Sequence, residues 1–82
     1  MEYCCYIIYS LKLDRYYVGQ TDDIEQRLIQ HNSGFSTYTS KANDWCLKHL
    51  EVFETRDLAQ NREREIKRKK SRKYIEWVSS AR

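Results

Sequence analysis

Residues Tyr3 to Ser10, YCCYIIYS, constrain this chain more than any other stretch. The run mixes aromatic, β-branched and cysteine side chains. It is apolar on both faces that alternate along an extended backbone, which is the pattern of a central strand covered on each side. Arg15 to Gln20, RYYVGQ, reads as a second strand, and the connection Leu11 to Asp14 is short enough for a β-hairpin. Thr21 or Asp22 is placed to cap a helix over about 22–32, with Glu25 three residues after Asp22, and Asn32-Ser33-Gly34 supplies its stop.

Phe35 to Asp44, FSTYTSKAND, is polar and irregular and reads as a loop. Trp45 to Glu54 is expected to be a third strand, with Leu50, Val52 and Phe53 giving most of its β character and burial. Thr55 or Asp57 then caps a helix over about 57–70. Ser71 interrupts it before Arg72 to Ser79, where Tyr74, Ile75 and Val78 share a stripe and Trp77 covers its edge. The order β-β-α-β-α-α predicts an α+β fold, a small three-stranded antiparallel sheet flanked by helices. At 82 residues the chain is read as one domain, 1–82, that buries only about 60% of its unfolded surface. No repeat or linker stands out, and there is no proline or low-complexity tract.

Cys4 and Cys5 are neighbours that point to opposite faces of a strand, and Cys46 is an odd third, so a disulfide framework is not expected. His31 and His49 without a CxxC pair lack the usual ligand spacing of structural zinc. These features fit a reduced, cytoplasmic setting. The N-terminus lacks a basic leader region and no apolar run approaches the ~20 residues that span a bilayer, so no membrane association is expected. The net charge of +3 is unevenly spread: Arg62 to Lys73 holds eight of the fifteen Lys and Arg against two Glu. Such a run is either a surface for a phosphate-bearing partner or a solvated helix face.

Candidate chemistry gathers around the hairpin and the first helix. Tyr6 and Tyr17 fall close enough in hairpin register to approach across the sheet, and Gly19 lets the backbone come near a ligand or a neighbouring element. Ile24, Leu28 and His31 share one helix face with Arg27 on its edge. Arginine offers fixed donors to a phosphate and histidine passes a proton near neutral pH, so the pair suits a phosphodiester; a tyrosine in a strand or a lone buried histidine also serves packing alone. Glu54, Glu63 and Glu65 are candidate metal ligands, and helical periodicity does not choose between Glu63 and Glu65.

At these residues the chain resembles the GIY-YIG nuclease superfamily, in particular short stand-alone bacterial members related to the amino-terminal nuclease domain of the excision-repair subunit. The resemblance runs through Cys4-Cys5-Tyr6, Tyr17-Val18-Gly19, Arg27 and His31, the loop GFSTYTSK and LAQNREREIK around Glu63. It implies a metal-dependent DNA endonuclease, with a role in DNA repair or recombination. Tyr6 is then the general base or water-orienting phenol, and Tyr17 its partner at the scissile phosphate. Arg27 stabilises transition-state charge, His31 helps deprotonate Tyr6 or the attacking water, and Glu63 is the lone protein ligand to one Mg²⁺ or Mn²⁺. Nucleic-acid contacts are expected at Gly19, Gln20, Tyr38, Lys41, Arg62, Lys67 and Lys70. The partner is DNA, and the chain is expected to be a monomer or weak homodimer. Cys4-Cys5 stands where the family has Gly-Ile, Gln20 where several relatives have Lys, and no Asn follows Glu63 at the spacing some members use. A binding module that holds nucleic acid without cutting, and an inactive interaction protein, are the alternative readings.

Overall fold

A computed structural model describes residues 2–80. The elements run β1 (Tyr3–Ser10), β2 (Arg15–Thr21), α1 (Ile24–Asn32), β3 (Cys46–Phe53), α2 (Arg56–Arg68) and α3 (Arg72–Ser80). They form the expected α+β arrangement, one antiparallel sheet in the order β2-β1-β3 with three helices. The doubly apolar run is indeed the middle strand. Cys5 and Ile7 join Val18, Ile66 and Val78 in a core on one face, where α2 and α3 pack. Tyr6 and Ile8 join Trp45 on the other, against Ile24 and Leu28 of α1.

Element ends are set by single side chains. The α1 cap is Asp23, one or two residues later than expected, because its Oδ1 accepts from the backbone N–H of Gln26. The helix ends where Gly34 adopts φ +83° and the Phe35 N–H returns to the Gln30 carbonyl. Thr55 caps α2 through the Leu58 N–H, and α2 stops at Arg68 rather than 70. The break before α3 centres on Lys70, in the left-handed region at φ +49°.

Three expectations need correction. Leu50 and Val52 do not bury β3: they are 39% and 51% exposed, because β3 is an edge strand and α1 packs over β1 and β2 on that face. Trp45 lies outside β3 yet is buried, as its indole N–H donates to the Thr39 carbonyl at 2.8 Å. Trp77 is 65% exposed and covers no edge; Val78 carries the burial of α3 while Tyr74 and Ile75 pack beside the core. The segment read as an irregular loop also holds a 3₁₀ turn at Thr39–Lys41. Its far end is pinned to α1 by Asn32, whose amide both accepts from the Trp45 N–H at 2.7 Å and donates to the Trp45 carbonyl at 3.0 Å.

Candidate active site

The hairpin register sets Tyr6 opposite Gly19, and this pairing shapes the site. A Cβ on residue 19 would stand 2.5 Å from the Tyr6 hydroxyl oxygen, so only a glycine lets the phenol lie down over β2. Lying there, Tyr6 brings its hydroxyl within 2.7 Å of Nε2 of His31, and both side chains are buried. Nδ1 of the same imidazole is 2.7 Å from Oγ1 of Thr39, whose side chain is also buried. The result is a buried chain of three hydrogen-bonding groups drawn from β1, α1 and the 3₁₀ turn.

Tyr17 closes the cluster, its ring centroid 6.4 Å from that of Tyr6 and 5.0 Å from the imidazole. Tyr38 stacks on the other side of Tyr17 at 5.7 Å. The Lys67 ammonium lies 5.5 Å from the Tyr17 ring centroid and is ion-paired to Glu63, one helical turn earlier, at 2.7 Å. Arg27 is half-buried and donates to Gln30 at 3.0 Å. Its charge reaches both Tyr6 and His31, and the Glu63 carboxylate also acts on Tyr6.

Burial displaces the two central groups in opposite directions. It raises the Tyr6 phenol to about 12, with Tyr17 adding to the effect and Arg27 opposing it. It lowers the His31 imidazole to about 4, helped by the Arg27 charge. At neutral pH Tyr6 therefore keeps its proton and His31 is uncharged. A neutral imidazole carries one N–H, so if Nδ1 donates to Thr39, Nε2 is left to accept the phenol proton.

Tyr6, Tyr17, Gly19, His31, Tyr38 and Lys67 are thus brought together, with Arg27 and Glu63 at the margin. Other predicted contacts lie elsewhere. Gln20 pairs with Cys5 and so faces the opposite side of the sheet, where its carbonyl accepts from Arg56 at 3.2 Å. Arg62 donates to Glu51 at 3.0 and 3.2 Å and also pairs with Glu65, so its guanidinium is engaged within the fold. Lys41 is exposed and borders a shallow depression with Asn32 and Gly34. Lys70 is exposed at the α2–α3 break. Glu65 is taken by Arg62, which separates it from Glu63 where periodicity does not. Sequence reasoning missed Thr39, although the stretch GFSTYTSK that contains it was a recognisable motif.

Among the described residues there is no group of three His, Cys, Asp or Glu able to hold a metal ion. The one carboxylate whose charge acts on Tyr6 is Glu63, at the margin of the cluster and paired with Lys67. That set does not suit zinc, but it fits Mg²⁺ or Mn²⁺, which keep most of their water and bind through one or two carboxylates.

The sheet, its helices and the buried phenol–imidazole pair define a small α+β domain with a polar site set against the central strand. The family model of the GIY-YIG catalytic domain matches residues 2–75, and the chain belongs to the GIY-YIG family. It is similar to UPF0213 proteins of Haloquadratum walsbyi, 44% identical over 52 residues, and of Staphylococcus saprophyticus, 38% identical over 64. The first alignment covers 62% of this chain and 58% of the relative, the second 77% and 78%. The chain thus spans less than two thirds of the Haloquadratum protein. The solution NMR structure of a UPF0213 protein from Bacillus halodurans matches with a TM-score of 0.60 at 28% identity, covering 98% of this chain and 84% of that one. No helix among the described residues is long and apolar enough to cross a membrane.

Proposed function

We propose that the chain is a divalent-metal-dependent endonuclease that hydrolyses DNA phosphodiesters. The observation that carries this reading is the buried Tyr6–His31–Thr39 chain, with hydrogen-bond distances of 2.7 Å at both links. A phenol held at about 12 is a poor base by itself at neutral pH. Next to a neutral imidazole it works as a relay: the phenol oxygen takes a proton from the attacking water while its own proton passes to Nε2, a transient transfer that runs against the lowered proton affinity of His31. The water oxygen bonds to phosphorus, the P–O bond to the leaving group breaks, and solvent protonates the departing oxygen. Thr39 is a positioning residue here, since its hydroxyl accepts from Nδ1–H and keeps Nε2 free.

Arg27 supplies fixed positive charge for the transition state. Glu63 would hold Mg²⁺ or Mn²⁺, which when bound polarises the phosphate and stabilises the leaving oxygen. Gly19 keeps Tyr6 in place, and Tyr17 flanks the relay. The family and the basic Arg62–Lys73 segment support a nucleic-acid substrate; participation in DNA repair and a cytoplasmic location belong to the same proposal.

The test is cleavage of single-stranded, duplex and branched DNA with Mg²⁺ or Mn²⁺. Tyr6→Phe, Arg27→Ala and Glu63→Ala are each expected to lower the rate by about 100-fold or more while circular dichroism stays native. Full activity in Glu63→Ala would remove the metal-ligand assignment, and full activity in Tyr6→Phe would remove the relay.

A further inference from the structure

Along the outer edge of β2, where α2 gives way to α3, a groove of about 730 Å³ opens. Leu13, Tyr16 and Ile75, all half-buried, supply apolar surface within it, over the buried Val18 and Ile66. At one end stand Tyr17 and Tyr38, stacked 5.7 Å apart, with Tyr38 43% exposed. Lys67 and Lys70 border it, and Lys70 is held there by a left-handed backbone at φ +49° that lysine rarely adopts. The one acid in the lining, Asp14, is paired with Arg72 at 2.6 Å, and Lys67 is paired with Glu63 at 2.7 Å, so it is Arg15 and Lys70 that leave the groove cationic.

We propose that this groove holds unpaired nucleotides next to the phosphate that is cut, so that the substrate is single-stranded or branched nucleic acid with an unpaired arm. The inference rests on the nuclease reading and specifies its substrate class. Three observations carry it. Apolar and aromatic surface inside a cationic border matches a base with its attached phosphate, because bases stack on tyrosines while lysines follow the backbone. The volume suits about one or two nucleotides, and a base can stack on the tyrosines of the groove only when it is unpaired. Tyr17 belongs both to the groove and to the phenol–imidazole cluster, so a strand lying in the groove leads directly to Tyr6.

The experiment is fluorescence anisotropy on the full chain without metal, using a labelled mixed-sequence DNA single strand and the blunt duplex of the same sequence. The single strand is expected to bind about tenfold more tightly than the duplex. Tyr38→Ala and Lys70→Glu should each weaken single-strand binding by about 5- to 10-fold. Lys48→Glu makes the same charge change on the far edge strand and should leave binding within about twofold. Equal binding of the duplex, or equal loss from Lys48→Glu, would overturn the proposal, as would competition by poly-glutamate as effective as that by unlabelled single strand. Cleavage with Mg²⁺ or Mn²⁺ is scored separately. Single-strand binding without any cutting would remove the nuclease reading and leave the groove. Cutting of intact duplex at wild-type rate by the Tyr38 and Lys70 variants would remove the groove and leave the nuclease reading.

Discussion

Tyr6 and His31 are neighbours whose proton affinities move apart for one reason, the loss of water around them. For His31 the consequence is a pH-dependent stability. Its pKa falls from 6.5 when exposed to about 4 in the fold, so between those values the unfolded chain binds the proton more readily. Stability is therefore fully present above about pH 6.5 and is lost as pH falls toward 4, by up to about 3 kcal/mol. The groups facing His31 are Tyr6, Tyr17, Thr39 and the Arg27 charge, none of them an acid that would hold the imidazolium in place. Urea unfolding from pH 7 to 4 should show this decline in wild type and a shallower one in His31→Gln; parallel curves would mean that the imidazole titrates normally. At this scale the tyrosines, His31 and Arg27 were legible because their residue types advertise chemistry. Thr39 was not, since a threonine in a polar loop carries no such mark until its partner is seen.

The helices and strands were legible to within a few residues, and their limits show why the rest was not. Three polar residues in a row, Thr21-Asp22-Asp23, can each cap a helix, and only the reach of Asp23 to the Gln26 N–H decides between them. The basic run Arg62–Lys73 reads as broken at Ser71, and the structure centres that break one residue earlier, on Lys70, between α2 and α3. A side chain in the left-handed region costs roughly 1 kcal/mol that glycine does not bear. Lys70→Gly is accordingly expected to stabilise the fold by about 0.5–1 kcal/mol, seen as a higher melting temperature, and a lower one would show that the turn is unstrained. If the groove binds nucleic acid as proposed, the same substitution weakens it, so stability and binding move in opposite directions.

Across the whole molecule, Arg62 joins three elements: Glu51 on β3, Glu65 on α2 and the Tyr74 hydroxyl on α3, the last at 3.5 Å. Partial burial works to raise the Glu51 carboxyl, and its bonds to Arg62 and His49 outweigh that and hold it below its ordinary value. Arg62→Leu leaves Glu51 with His49 alone, and a loss of about 1–2 kcal/mol in urea unfolding is expected, against little change for the exposed Arg64→Leu. Equal effects would mean that Arg62 is a surface charge after all.

The sequence by itself determined the central strand, the hairpin, the helix-bearing segments and the residue types able to do phosphodiester chemistry, because alternation, turn residues and caps act over a few positions along the chain. Tertiary structure decided which strand lies at the edge, which charges are already spent and what supports His31. Those outcomes depend on partners far apart in the chain, such as Arg72 with Asp14 or Tyr6 with His31, 58 and 25 residues away, and the closed fold alone brings them into contact.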